Sequence, residues 1–269
     1  MKNSLLYIAL LFIVACSSTG KYAATNKSYN KQAKAYAKAL SEKPEGIRTD
    51  SAVVPDWVGT TNFNMRKPNF VIIHHTAQNS CEQTLQTFTL VRTQVSAHYV
   101  ICKDGTIHHM LNDYLRAWHG GAAKWGNLTD INSSSIGIEL DNNGFENFAP
   151  AQLNSLTVLL DTLKKKYNIP QANFIGHGDI APTRKNDPNV RFPWKQFADK
   201  GFGLWYGDTA NVKVPADFNS LQALRIIGYD VKDPGAAILA FKRHFMQDTT
   251  SKVILDPDKK ILYDLYKKY

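Results

Sequence analysis

The sequence predicts an α/β fold: a mixed β-sheet flanked by helices and followed by a small three-helix segment. Three observations predict it. Apolar runs of strand length alternate with amphipathic runs of helix length between residues 70 and 180, successive strand-like runs end in polar residues, and after about residue 216 only helical patterns remain. Strand ends gathered at one edge of such a sheet are where α/β folds place their binding sites.

The elements follow in order. Phe70-Val71-Ile72-Ile73 is a short β-rich run that reads as a buried strand delivering His74, His75 and Thr76 to its end. Ser80 fits the N-cap of a helix over 81–92, with Leu85, Phe88 and Val91 on one face. Residues 97–102 and 106–110 flank the turn Lys103-Asp104-Gly105 and read as a hairpin. Ile136-Gly137-Ile138-Glu139-Leu140 alternates as a strand. Pro150 opens a helix with Leu153, Leu156, Leu160 and Leu163 at helical intervals, stopping before Pro170. Residues 173–176 form a short strand ending at His177. Residues 218–227, 235–245 and 259–266 are amphipathic, punctuated by Gly228, Asp233-Pro234 and Asp256-Pro257.

With 43% hydrophobic and 20% charged residues, disorder of the whole chain is excluded. The formal net charge of +9 is concentrated near the N-terminus: residues 17–49 hold seven Lys/Arg against two Glu, whereas residues 50–215 hold 15 basic and 14 acidic side chains. A nearly balanced segment gives no support for nucleic acid as a partner. Within 17–49, Tyr29, Ala33, Tyr36 and Leu40 recur at helical spacing, but the stripe is too thin to define a core, so a solvated basic tether is expected.

The first residues carry an address. Residues 5–15 form the longest apolar run, shorter than the ~20 residues a spanning helix needs. Lys2 supplies a basic start and Ile13-Val14-Ala15-Cys16 puts a small residue before a cysteine. This pattern resembles a bacterial lipoprotein signal, which implies cleavage before Cys16, acylation of that cysteine and a membrane anchor at the N-terminus. Ser17 in place of Asp implies the outer membrane, facing the periplasm. Cys81 and Cys102 are then in a compartment where they can pair, although spacing alone leaves a disulfide and two buried thiols equally open.

The segment richest in chemistry is Gly176-His177-Gly178-Asp179-Ile180-Ala181-Pro182-Thr183-Arg184-Lys185-Asn186-Asp187-Pro188. A catalytic zinc takes three protein ligands and leaves a fourth position open. His177 at a strand end and Asp187 on a proline-stiffened loop supply two, and His74 or His75 is the source of the third. Adjacent residues on a strand point to opposite faces, so only one of that pair can enter the site.

Ile73-His74-His75-Thr76, Ser135-Ile136-Gly137-Ile138-Glu139 and the segment from His177 to Asp187 resemble the signature motifs of zinc-dependent N-acetylmuramoyl-L-alanine amidases, relatives of phage lysozyme-type amidases and peptidoglycan recognition proteins. Ser96-Ala97-His98-Tyr99 and Ala117-Trp118-His119-Gly120 are similar as well. The resemblance spans roughly 68–200. It implies one zinc ion held by His74, His177 and Asp187, Glu139 as the acid/base residue and Lys185 as the electrostatic partner of the transition state. It also implies peptidoglycan or muropeptides as partner, with the amide between the muramic lactyl group and L-alanine as the bond cut.

For the alternative of a non-catalytic wall-binding or sensing protein of the same fold, the resemblance implies loss of a ligand, whereas all three are present here. His75 is expected to pack. His119 is expected to line the groove or to make a structural hydrogen bond, Arg184 to bind a stem-peptide carboxylate or to pair with Asp179, and Asp179 itself to be structural. The resulting organisation is a signal over 1–16, a tether over 17–49, a catalytic domain over 50–215 and a peptidoglycan-binding-like helical domain over 216–269.

Overall fold

The first described element, α1 (Ala23–Ser41), is a 19-residue helix with no buried side chain. Its Ala, Lys and Gln residues are good helix formers, which suits a helix that buries none of its side chains. The computed structural model describes residues 20–42 and 58–269, and these fall into two units, Met1–Phe63 and Asn64–Tyr269. Cys16 lies outside the described residues.

The second unit is built on five strands: β1 (Phe70–His75), β2 (Tyr99–Ile101), β3 (Ile107–His109), β4 (Ser135–Leu140) and β5 (Phe174–Gly176). Their order is β3-β2-β4-β1-β5, with β2 and β3 antiparallel and the other pairs parallel. Its helices are α2 (Cys81–Thr89), α3 (Pro150–Tyr167), α4 (His177–Ile180), α5 (Trp194–Ala198), α6 (Ser220–Ile227), α7 (Pro234–Met246) and α8 (Asp256–Tyr266).

Period-two alternation gives the sheet two faces. Val71, Ile73, Ile136, Ile138, Leu140 and Phe174 pack on Leu156, Leu160 and Leu163 of α3. Ile72 and Ile175, from the alternate positions, pack on the other side with Leu224 of α6, Phe241 of α7 and Leu262 of α8.

Residues 216–269 lie in the same compact unit as residues 64–215. The C-terminal helices do not close a core of their own, because their apolar faces are buried against the sheet and against Ile180 of α4. Helix α2 also ends earlier than expected: Ser80 caps it by accepting from the Gln83 N–H, but Val91 falls in a 3-10 turn and is 92% exposed. Cys81, at the start of α2, and Cys102, just after β2, form a disulfide across a Cα–Cα distance of 5.3 Å. Closing a loop of that length stabilises by ~3 kcal/mol in the chain-entropy description.

Candidate functional site

The face opposite α3 carries the site. On β1 the residue two beyond Ile72 is His74, and the parallel register pairs it with Glu139 of β4. Strand β5 ends at Gly176, beside Ile73, and the chain turns at once into α4, whose first residue is His177. The Gly178 N–H donates to the Asp187 carbonyl (2.7 Å), which folds the following loop back and sets the Asp187 side chain beside His177.

His74 Nδ1, His177 Nδ1 and Asp187 Oδ2 lie 3.0 Å from one another on every side of a triangle. All three residues are buried, at 1%, 3% and 6% exposure. His75 points to the other face, where its Nε2 approaches Gly144, and it is not part of the cluster.

The outer hydrogen bonds decide what the triangle can hold. His177 Nε2 faces the Gly120 carbonyl at 3.0 Å, and a carbonyl only accepts, so Nε2 carries the proton and a neutral ring leaves Nδ1 as a lone pair. A longer chain does the same for His74. The Ser135 hydroxyl donates to the Ile131 carbonyl (2.6 Å) and so accepts from His119 Nε2 (3.2 Å); His119 Nδ1 then accepts from His74 Nε2 (3.1 Å).

Three electron pairs thus converge with no proton between them, a grouping that a cation satisfies. Donor atoms of a four-coordinate metal with bonds of ~2.0–2.1 Å lie ~3.3 Å apart, close to the observed spacing. The residues present therefore fit a metal ion. Cys81, Cys102 and His108 also cluster, but both sulfurs are consumed by the disulfide.

Burial shapes the charges. Desolvation, with His177 adding to it, lowers the His74 pKa to about 4, so the ring is neutral at physiological pH. Glu139 is pushed the other way. Burial, then the Asp187 charge, raise it to about 8 against the pull of Lys185. Its Oε1 lies 4.0 Å from His74 Nδ1, and its Oε2 is buried with no hydrogen-bond partner. Lys185 is exposed on the loop before Asp187.

A raised carboxyl pKa contributes stability that is complete below the unfolded value of 4.5 and is lost as pH climbs through about 8. Metal-free protein is therefore expected to lose stability relative to its Glu139→Gln variant between those limits, by at most ~1.4 kcal/mol per pH unit. Urea unfolding of both proteins across that range measures it, and a pH-independent difference would show an ordinary carboxyl.

His119 and Arg184 are held by hydrogen bonds within the protein. His119 is 8% exposed, and its ring rests on Gly137, where a Cβ would overlap it. The Asn132 side chain accepts from the backbone N–H of His119 (3.2 Å) and of Gly120 (2.8 Å), holding this segment in place. Arg184 does not pair with Asp179. Its guanidinium donates to the carbonyls of Gly120 (3.0 Å) and Ala122 (2.8 Å). Asp179 instead takes His244 of α7 and Tyr229 of the connection between α6 and α7.

Comparison with known proteins places this geometry. A family model for N-acetylmuramoyl-L-alanine amidase matches residues 64–190. The chain is 34% identical over 207 residues to N-acetylmuramoyl-L-alanine amidase AmiD of Escherichia coli, covering 65% of this chain and 74% of that protein. It is 36% identical over 109 residues to 1,6-anhydro-N-acetylmuramyl-L-alanine amidase AmpD of Haemophilus influenzae, covering 40% of this chain and 59% of that one. The structure of E. coli AmiD in complex with anhydro-N-acetylmuramic acid-L-Ala-D-gamma-Glu-L-Lys superposes with a TM-score of 0.69 at 29% identity, covering 83% of this chain and 98% of that one. AmpDh3 of Pseudomonas aeruginosa, in complex with anhydromuramic pentapeptide, gives 0.69 at 26% identity, covering 83% and 99%. With a sheet of this topology, its strand ends converging on two histidines and an aspartate, and this extent of likeness, the chain belongs to the N-acetylmuramoyl-L-alanine amidase family.

Proposed function

We propose that this chain is a zinc-dependent amidase that hydrolyses the bond between the lactyl group of N-acetylmuramic acid and the first L-alanine of a peptidoglycan stem peptide. The observation that carries the reading is the triangle of His74, His177 and Asp187 with Glu139 at its edge. Two imidazoles and one carboxylate suit zinc, and three protein ligands leave a position open for chemistry. Zinc held there supplies a Lewis acid that polarises the amide carbonyl and brings the pKa of water down to ~7.

Glu139 takes a proton from the attacking water and delivers it to the alanine nitrogen as the carbon–nitrogen bond breaks, a role worth ~10²–10⁴-fold. Positive charge at the triangle favours its ionised form, the one able to act as base. The exposed Lys185 ammonium sits at the rim of the site and stabilises the carbonyl oxygen as it becomes an oxyanion. The muropeptide complexes of AmiD and AmpDh3 support peptidoglycan fragments as substrate.

Chelated protein is expected to lose turnover of a soluble muropeptide and to regain it with one equivalent of zinc. Protein that binds zinc and a muropeptide but leaves the bond intact would instead be a wall-binding module.

We further propose that the chain is lipid-anchored through Cys16 in the cell envelope, on the periplasmic side of the outer membrane, and acts in wall turnover or remodelling. No helix among the described residues is long and apolar enough to cross a membrane. The Cys16→Ser variant is accordingly expected in the soluble fraction, since acyl chains contribute ~0.8 kcal/mol per buried CH₂ and a basic tether alone is released by salt. Fractionation at high salt measures this, and a variant that stays with membranes contradicts it.

A further inference from the structure

The loop from Gly176 to Pro188 carries two of the three donors, and its own hydrogen bonds are supplemented by residues far along the chain. Asp179, two residues beyond His177, is 4% exposed. A buried carboxylate must be surrounded by donors. One is local: the Gly176 N–H donates to Asp179 Oδ2 (2.8 Å). The other two come from beyond residue 190, where the family match ends. His244 Nδ1 of α7 donates to the same Oδ2 (2.7 Å), and the Tyr229 hydroxyl, on the connection between α6 and α7, donates to Oδ1 (2.9 Å).

Both donors are themselves buried, at 5% for His244 and 2% for Tyr229. The His244 ring stacks on Trp194 at a centroid distance of 3.9 Å and an interplanar angle of 14°. Trp194 in turn abuts Gly176, where a Cβ would stand 3.1 Å from the indole. Arg243, the preceding residue of α7, donates to the Lys185 carbonyl (3.4 Å) and fills the space beside Gly178, where a Cβ would come within 2.8 Å of its guanidinium. Backbone at both ends of the donor-bearing loop is thereby tied to one helix.

We infer that the C-terminal helices complete the metal site, with His244 as a positioning residue that sets His177 through Asp179. The inference rests on the zinc reading above. A partner hydrogen-bonded directly to a metal ligand is typically worth ~10–100-fold in metal affinity; His244 acts through Asp179 and the Gly176 N–H, so the lower end of that range is expected. It also gives residues 216–269 a role within the catalytic unit, beyond any contact with the wall.

The test uses the full-length chain. Zinc affinity is measured by chelator competition, and the cobalt-substituted protein is examined by visible absorption, at a temperature where all variants are folded. His244→Phe keeps the stack on Trp194 and removes the donor. It is expected to weaken zinc binding ~10-fold and to alter the cobalt spectrum. His244→Asn, whose amide nitrogen stands where Nδ1 was, is expected to recover part of the affinity. Leu262→Ala, in the same core but away from Asp179, is expected to lower the melting temperature and leave both metal readouts unchanged.

Wild-type affinity and an unaltered cobalt spectrum in His244→Phe would overturn the inference. So would a loss in Leu262→Ala as large as that in His244→Phe. If the wild-type chain binds no zinc, the zinc reading fails and the inference with it. If the wild type binds zinc and His244→Phe binds it equally well, only the inference fails.

Discussion

His74→Ala is expected to remove both bound zinc and amidase activity, while His75→Ala retains both. The two residues are neighbours in sequence and both are buried, so composition and burial class predict no difference between them. The distinction comes from the pleat. His74 shares a face with Ile72 and registers with Glu139, whereas His75 registers with Leu140 on the α3 side. Removing His74 takes one of three donors and opens a gap beside His119 Nδ1, which loses its partner. Loss of the Lewis acid removes several kcal/mol of transition-state stabilisation, more than ~10³-fold in turnover. Zinc content and turnover measured on the same preparations separate the outcomes. Equal loss of activity in both variants, with zinc retained only in His74→Ala, would reverse the assignment of the ligand.

Deleting residues 216–269 is expected to yield protein that does not fold to a zinc-loaded enzyme. Ile72, Ile131, Ile175 and Ile180 are all 2% exposed or less, and the deletion strips away Leu224, Phe241 and Leu262 that cover them. Truncating a single buried Phe to Ala costs ~3–5 kcal/mol, and whole domains are stable by only ~5–15 kcal/mol. The loss of three helices therefore exceeds what the fold can absorb. A truncated chain that is soluble, melts cooperatively and carries one zinc would show that the C-terminal helices are dispensable to the fold.

How much of this was legible in the sequence differs by element. Strands β1, β4 and β5 are written as short β-branched runs, and α3 by leucines at helical spacing between two prolines. Their length and period suffice, because a strand or helix that buries a face must carry the matching apolar pattern. Helix α5 was not foreseen: Trp194 and Phe197 are buried, but five residues are too few to display a period. The amphipathic stripes of α6, α7 and α8 were legible as helices, yet a stripe says only that a face is buried and not against what.

The site divides in the same way. His74, Glu139, His177 and Asp187 stand out because strand ends and a proline-bounded loop carry unusual chemistry in sequence. His119 stands in a motif, but its place beneath His74 depends on the missing side chain of Gly137, which no local pattern encodes. His244 had no signal at all. It follows Lys242 and Arg243 on a helix whose other side chains read as packing, and its meaning comes from an aspartate 65 residues away in the chain.

The most direct test of the account is mass spectrometry of muropeptides and purified sacculi after incubation with zinc-loaded protein, run in parallel with Glu139→Gln. Wild-type enzyme is predicted to release free stem peptides that begin with L-alanine, leaving the sugars with an intact lactyl carboxylate. The variant is predicted to retain its zinc and to lose ~10²–10⁴-fold in rate. Cleavage at any other bond, or Glu139→Gln working at the wild-type rate, would contradict it.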